Sequence, residues 1–488
     1  MTTTPELQTK ILEDFLHYFL PEGLLDYFEP VMAEDKEHQV KKDEVYKRDL
    51  HLYFDERDNR TPELQHLRPN GFTEERTISD FPARNRKLVL HIRRRRWLDE
   101  NGKNVILNVC ELAGNGTKFS DEFAEFLKKN LDQTPVTAKS LGRSYMIDGN
   151  TLEHAYKYTW SDFTKWDQRM HAEGWVLLPQ NLSPHLSIDE TSLHDDLYTI
   201  LTSKEGHGKQ GTVIAMVRGT KAEDVIKVLQ QLPLEERQKV IEVTMDLSES
   251  MRAIVEATFP NARITLDCFH IMKRCLEAVE ELRLRYKREA QADIRRAERR
   301  FKERLKRNAA HRKWYRKKYP KKYKGKKRGP KPKRRNEQFR PPVLDNGDTL
   351  VELLTRSKHA LTQTHDKWSE RQKARMKLLF KLYPKLKEVY DIVNKLRAIF
   401  RSKSLSREEA KTKLHEWYHT VAECTIREIK SARDAIKSRE ENILNYFIDR
   451  STNASAESFN SKLKAFRAQL RGIRDLPFFI YRICKIFG

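Results

Sequence analysis

The sequence predicts an α/β protein: a mixed sheet interrupted by a long α-helical insertion and preceded by a helical and β-hairpin region. Three observations carry this. Val240 to Met245 and Ile264 to Leu266 are short apolar runs that each close on an aspartate, Asp246 and Asp267; between them Ser248 can cap a helix whose Met251, Ile254, Val255 and Phe259 recur at helical spacing. Three more strand patterns stand ahead of this strand-helix-strand unit, at His185 to Thr191, Leu197 to Thr202 and Thr212 to Val217. From His270 a helical pattern then runs, with interruptions, to Phe447.

The 488 residues, 38% hydrophobic and 34% charged, suffice for two to four domains, which excludes a disordered tail. A formal charge of +24 calls for a polyanionic partner, nucleic acid ahead of a membrane surface. No apolar run is long enough to span a bilayer, and the opening MTTTPELQTKILEDF carries acids where a secretory signal would be basic and then apolar. A soluble, intracellular chain is expected. Cys110, Cys268, Cys275, Cys424 and Cys484 are odd in number, scattered and without a CxxC pair, which argues for reduced structural thiols and against a disulfide framework or zinc ribbon.

Residues 1–84 read as a helical unit and a connector. Thr4-Pro5 opens a helix with the stripe Leu7, Ile11, Leu12, Phe15, Phe19 and Leu20; the charged stretch Glu34 to Arg60 and the scattered Pro, Gly and Asn from Thr61 to Arg84 read as irregular. Residues 85–178 read as a β-hairpin followed by a helix-turn-helix outline. Lys87 to Trp97 alternates Leu88, Leu90 and Ile92 and reaches, across Asp-Glu-Asn-Gly, a second strand with Val105, Leu107 and Val109. This hairpin carries Arg93, Arg94, Arg95 and Arg96, of which at most half can meet acids on one side, because strand neighbours face opposite ways. The others are left to face DNA or solvent. Ser120 caps a helix with Phe123, Phe126 and Leu127, Thr137 begins another with Leu141 and Tyr145, and Asp148-Gly149 turns into a capping box at Asn150 to Glu153. DNA readers and ordinary small bundles share this outline, and its stripes are expected to let residues 1–178 fold as a piece.

Residues 179–275 hold the strands. His185 to Thr191 ends in Asp189 and Glu190, the turn Lys204 to Gly208 makes the next two strands an antiparallel hairpin, and a helix with Ala222, Val225, Ile226, Leu229 and Leu232 leads to Val240. Parallel sheets of this kind bind ligands beyond the carboxyl ends of their strands, so Asp246 and Asp267 stand where chemistry is done, and two acids there suggest a divalent-cation site. The plainer alternative is that each caps the helix after it. Residues 276–446 are an α-helical insertion containing a basic linker at 312–335. From Arg316 to Arg335 there is no acid, and the prolines and glycines exclude a helix, so Lys317, Lys318, Lys321, Lys322, Lys326, Lys327 and Arg328 read as DNA contacts of an extended polycation, with a solvated linker or localisation tag as the alternative. In residues 447–488 a helix places Glu457, Asn460, Ser461 and Lys464 on one face and Phe459, Leu463, Phe466 and Leu470 on another.

The ordered motifs Ile188-Asp-Glu, Val243-Thr-Met-Asp, Pro260-Asn-Ala with Asp267-Cys-Phe-His, and Thr452-Asn-Ala-x-x-Glu-x-Phe-Asn-x-Lys-Leu-Lys give the chain a resemblance, from Leu186 to Gly488, to the DDE transposases of bacterial insertion sequences, in particular the ISL-three group. The resemblance implies a ribonuclease H-like catalytic domain with Asp189, Asp246 and Glu457 as catalytic and metal-holding residues, and Asp267, His270, Asn460 and Lys464 near the site. It implies two Mg²⁺ ions, with Mn²⁺ able to substitute, that serve cleavage of the element's ends and their joining to target DNA. Double-stranded DNA, as terminal inverted repeats and target, is the implied partner, bound by a homo-oligomer in the bacterial cytoplasm at the nucleoid. Many relatives carry an N-terminal cysteine-rich zinc segment, and this chain departs from them there. A ribonuclease H-like nuclease without strand transfer would share the three acids. A non-enzymatic basic DNA-binding protein would account for the charge and not for the acids.

Overall fold

The computed structural model describes residues 16–37, 46–108, 110–113, 117–193, 196–320, 338–470 and 472–488. The helix expected from Thr4 to Phe15 lies outside them, as do Lys321, Lys322, Lys326, Lys327 and Arg328. By its contacts the chain divides into two compact units, one of Met1–Val243, Ser250–Ala262 and Ala454–Gly488, the other of Thr244–Glu249 and Arg263–Asn453.

In the first unit a short helix α1 (Leu24–Tyr27) precedes seven strands: β1 (Phe28–Glu37), β2 (Arg48–Glu56), β3 (Arg68–Phe72), β4 (Arg76–Ala83), β5 (Arg86–Arg93), β6 (Arg95–Leu98) and β7 (Asn104–Ile106). They form a four-stranded sheet, β1-β2-β5-β4, and a three-stranded one, β3-β6-β7. This corrects the irregular connector expected between Glu34 and Arg84. The charges that suggested a loop are consumed across strands, Asp35 pairing with Arg48 and Arg86, and Tyr53 donating to Glu34. Phe28, Phe54, Ile78, Leu88, Leu90 and Ile92 form the core behind them. The expected hairpin survives in its second half, where Trp97 faces Val105, whereas Leu88, Leu90 and Ile92 lie on β5 in the other sheet.

Three helices follow, α2 (Asp121–Gln133), α3 (Ala138–Ser144) and α4 (Gly149–Ala155). Thr137 caps α3 by accepting from the Ser140 N–H, and Asp148, not Asn150, caps α4. Ser120 spends its hydroxyl on Asp80, to which it donates at 2.6 Å. Helices α3 and α4 meet closely enough to require glycine: a Cβ on Gly149 would lie 2.7 Å from the Lys139 Cα.

Six strands form the next sheet: β8 (Trp175–Leu177), β9 (His185–Leu193), β10 (Asp196–Ser203), β11 (Val213–Arg218), β12 (Glu242–Met245) and β13 (Arg263–Leu266), in the order β13-β12-β9-β10-β11-β8. The pairs β9/β10, β10/β11 and β11/β8 are antiparallel. Helices α5 (Ala222–Leu229) and α6 (Leu234–Gln238) bridge β11 and β12, and α7 (Glu249–Thr258) bridges β12 and β13, the connection a parallel pair requires. Ile241, counted with the apolar run, is 53% exposed, and the strand begins one residue later.

The second unit is built on α8 (Cys268–Lys318), 51 residues long and capped by Asp267. Its first half buries Ile271, Cys275, Val279 and Leu282, and it is followed by α9 (Leu350–Arg356), α10 (Lys358–Thr362), α11 (Glu370–Leu382), α12 (Pro384–Arg401), α13 (Arg407–Glu423), α14 (Arg427–Lys437), α15 (Glu440–Leu444) and α16 (Tyr446–Asp449), of which α9, α10, α12 and α14 pack on it. The chain returns to the first unit with α17 (Ala454–Gln469) and α18 (Leu476–Phe487).

Helix α18 is apolar almost all round, as a fully enclosed helix must be, and Asp475 caps it with Pro477 in the first turn. One side packs with α17 on the sheet core of Tyr198, Ile200, Val213 and Met216; from the other, Phe478 and Tyr481 enter the core of Phe119, Phe123, Leu127, Leu152, Tyr156 and Phe163. Arg482, 5% exposed, donates to the carbonyl of Val136 at 3.0 Å and covers the Tyr156 ring. The core around the helices of residues 121–155 therefore also takes in Phe478 and Tyr481, which lie outside the 1–178 piece. Among the described residues all five cysteines are free thiols, and burial pushes Cys275 up to about 12, as suits structural positions. No helix among the described residues is long and apolar enough to cross a membrane.

Candidate active site

Asp189 sits in the middle of β9, opposite Ile200, rather than at the strand end the sequence suggested, because pairing continues to Leu193. Its Oδ1 accepts from the Glu190 N–H at 2.8 Å, and its Oδ2 accepts from the Asn460 Nδ2 at 2.7 Å. That second bond ties β9 to α17. The helix is seated by Phe459, Leu463 and Phe466, all buried on the sheet, and this face fixes the rotation that turns Asn460 inward and leaves Lys464 exposed. Glu457 lies half-buried almost one turn before Asn460, and its backbone carbonyl accepts from the Ser461 hydroxyl.

A residue that sequence reasoning passed over completes the seating. Lys462 Nζ donates at 2.8 Å to the carbonyl of Gly208, in the turn between β10 and β11. Gly208 holds φ +70, and a Cβ there would stand 2.8 Å from that amine. The signal was present only as one more lysine of the Asn-x-Lys-Leu-Lys run.

In the second unit Asp246 follows β12 directly and accepts from the Ser248 N–H at 2.9 Å. Asp267 is 2% exposed; its N–H donates to the Met245 carbonyl, its Oδ1 accepts from the Phe269 N–H, and its Oδ2 faces the His270 Nδ1 at 3.2 Å. Both aspartates thus have the local bonds of a turn or cap, the plainer of the two roles the sequence offered. A carboxylate in such a bond keeps lone pairs for a further ligand.

The arginine run is held by the protein. Arg93 makes two bonds to Asp55 at 2.7 Å each, the Arg95 N–H donates to Glu56, and Arg94 donates to the carbonyls of Leu107 and Cys110. Arg93 and Arg95 also cover the Phe72 ring, and all four arginines are half-buried. Lys317 and Lys318 are exposed in the last turn of α8, so Arg316 to Lys318 are helical, which corrects the extended reading there; the first proline comes only at Pro320.

Comparison with known proteins agrees with the motif order. The chain is 22% identical over 223 residues to the transposase for insertion sequence element IS1001 of Bordetella parapertussis, covering 45% of this chain and 51% of that protein. The chain thus spans about half the length of this curated relative. The family model for ISL3-type DDE transposases, described as Transposase, matches residues 186–483, well over half of the chain. With that match, the chain belongs to the ISL3 family of transposases.

Proposed function

We propose that the protein cleaves DNA at the ends of its insertion sequence and joins those ends to target DNA, with Asp189, Asp246 and Glu457 as the catalytic carboxylates. The observation that carries this is the bond from Asn460 to Asp189, which fixes the helix bearing Glu457 against the strand bearing Asp189. The sheet order supports a ribonuclease H-like reading, with three antiparallel strands, β9 to β11, followed by two strands joined through helices and added beside β9. Residues 179–275 and 447–488 would form this catalytic domain, 276–446 its insertion, and 1–84 with 85–178 the DNA-recognition region.

Asp189 lies beside the Asn460 amide, and with Glu457 and Asp246 it would make an all-oxygen set of the kind that holds hard divalent cations such as Mg²⁺, with Mn²⁺ as a substitute. When bound, such ions polarise a phosphodiester and lower the pKa of a water or 3′-hydroxyl. The chain's own part is placement. Asn460 and the Glu190 N–H fix both oxygens of Asp189, the apolar face of α17 fixes the direction of Glu457, and Lys464 offers a cation to a phosphate on the same helix face. Asp267 orients His270 at the start of α8 and stays outside the three. Sequence-independent contacts to duplex DNA are assigned to Lys317, Lys318 and the remaining polycation, and the donors that Arg93 to Arg96 do not spend on protein would meet phosphate in the recognition region.

The test uses the full chain, DNA carrying the element's ends, and Mg²⁺ or Mn²⁺. Asp189→Asn, Asp246→Asn and Glu457→Gln should each bring cleavage and joining to background while DNA affinity stays within about twofold. Any one of them that turns over like the parent removes that residue from the three.

A further inference from the structure

Beyond Ala290 no residue of α8 is buried through Lys318. These 28 residues form a projecting helix about 42 Å long at 1.5 Å per residue. They hold thirteen Lys or Arg against three Asp or Glu, a net +10. Few of these charges are satisfied within the chain: Arg296 pairs with Asp293 and Lys302 with Glu298. Among the described residues Arg299, Arg300, Lys306 and Arg307 have no carboxylate partner, and Arg304 has only the Phe301 ring.

A solvated helix does not favour this composition. Like charges four residues apart destabilise a helix by a few tenths of a kcal/mol each, and Arg295/Arg299, Arg296/Arg300, Arg300/Arg304, Lys302/Lys306, Arg312/Arg316 and Lys313/Lys317 are all such pairs. A partner that removes this repulsion must be polyanionic. A second copy of the same helix would bring +10 against +10. An anionic bilayer would need a broad apolar face, and the exposed stretch offers only Ile294, Phe301, Leu305 and Trp314 as large apolar or indole side chains outside its tyrosine. Duplex DNA presents one phosphate charge per ≈ 1.7 Å of axis and needs no apolar contact.

We propose that residues 291–318 of α8 are a rigid arm that lies along the backbone of duplex DNA, its last turns running into the basic linker at 312–335, and that it binds independently of base sequence. Phe339 packs on Phe301, ring centroids 5.8 Å apart, so the returning chain braces the arm from one side. Arg299, Arg300, Arg304 and Arg307 are exposed along it, the last three flanking Phe339, and can take phosphates. The proposal rests on the transposase reading, since it presumes DNA as the partner.

The test compares the full chain with the quadruple variant Arg299→Gln, Arg300→Gln, Arg304→Gln and Arg307→Gln on a duplex lacking the element's ends, between 50 and 200 mM salt. Each lost phosphate contact removes about 0.9 from the slope of log affinity against log salt, so four should lower it by roughly 3.6; over that range the parent should then lose on the order of 10²-fold more affinity than the variant. Far-ultraviolet circular dichroism checks that the helix is kept, and the matching Arg→Lys variant should restore the slope. Equal slopes for parent and quadruple variant, with the parent binding duplex, overturn the arm and leave the transposase reading standing. A parent without duplex affinity at 50 mM salt overturns both. Binding to phosphatidylserine vesicles in preference to duplex also overturns the arm.

Discussion

At Asp267 two roles that look alike in sequence separate on structure. Its carboxylate caps a 51-residue helix from a position 2% exposed, and asparagine caps as well as aspartate does. Asp267→Asn should therefore keep both melting temperature and cleavage near the parent, whereas Asp267→Ala should cost about 1 kcal/mol, read by denaturant unfolding. Cleavage lost in Asp267→Asn at unchanged stability would move Asp267 into the catalytic set. A second residue-scale device lies in the first sheet. The His51 Nδ1 stands 2.7 Å from the His91 Nε2, whose ring meets Glu75 through Nδ1, while Tyr53 stacks on His91. Burial, with His91 adding to it, holds His51 below the ordinary imidazole value of about 6.5. The folded state then resists the proton that the unfolded chain accepts, so stability is full above pH 6.5 and declines as pH falls through it. The melting temperature should drop between pH 7.5 and 5.5, and His51→Gln should reduce that drop; a drop of the same size in the variant would assign it to other groups.

Elements were legible where their signal was local. The strands from His185 to Leu266 announce themselves as short β-branched runs between turns and appear where the pattern puts them, within two residues. The sheet of residues 28–93 did not, because alternating charges that pair across strands, Asp35 with Arg48 and Arg86, look in one dimension like a solvated loop. The carboxylates proposed as catalytic rest on placement and motif order; Lys462 offered no such signal, since its partner Gly208 is more than 250 residues away. The same distance hid α18. A fragment of residues 1–178 should accordingly be loosely packed, binding a hydrophobic dye and melting without cooperativity, and fusion of residues 472–488 through a flexible linker should sharpen its transition. In the full chain Phe478→Ala should cost roughly 3–5 kcal/mol, the usual loss for a buried aromatic, measured by denaturant unfolding. A cooperative transition in the bare fragment would show that Phe478 and Tyr481 are dispensable to that core.

Over the whole molecule, family membership and charge point the same way: a transposase with net charge +24, thirteen of its cations on one exposed helix. The composition indicated a polyanion, and the structure adds where part of that charge is presented. The contribution of α18 to the N-terminal core has a further consequence, in time. More than three hundred residues separate Phe163 from Phe478, and at 5–20 residues per second a ribosome needs roughly 15–60 s to make them. Throughout that interval the helices at 121–155 have left the exit tunnel without the side chains that fill their core. Translation that stops early, by a nonsense codon or a frameshift, releases exposed apolar stripes that invite chaperones and proteases, and leaves no well-packed N-terminal fragment to compete with finished molecules for DNA.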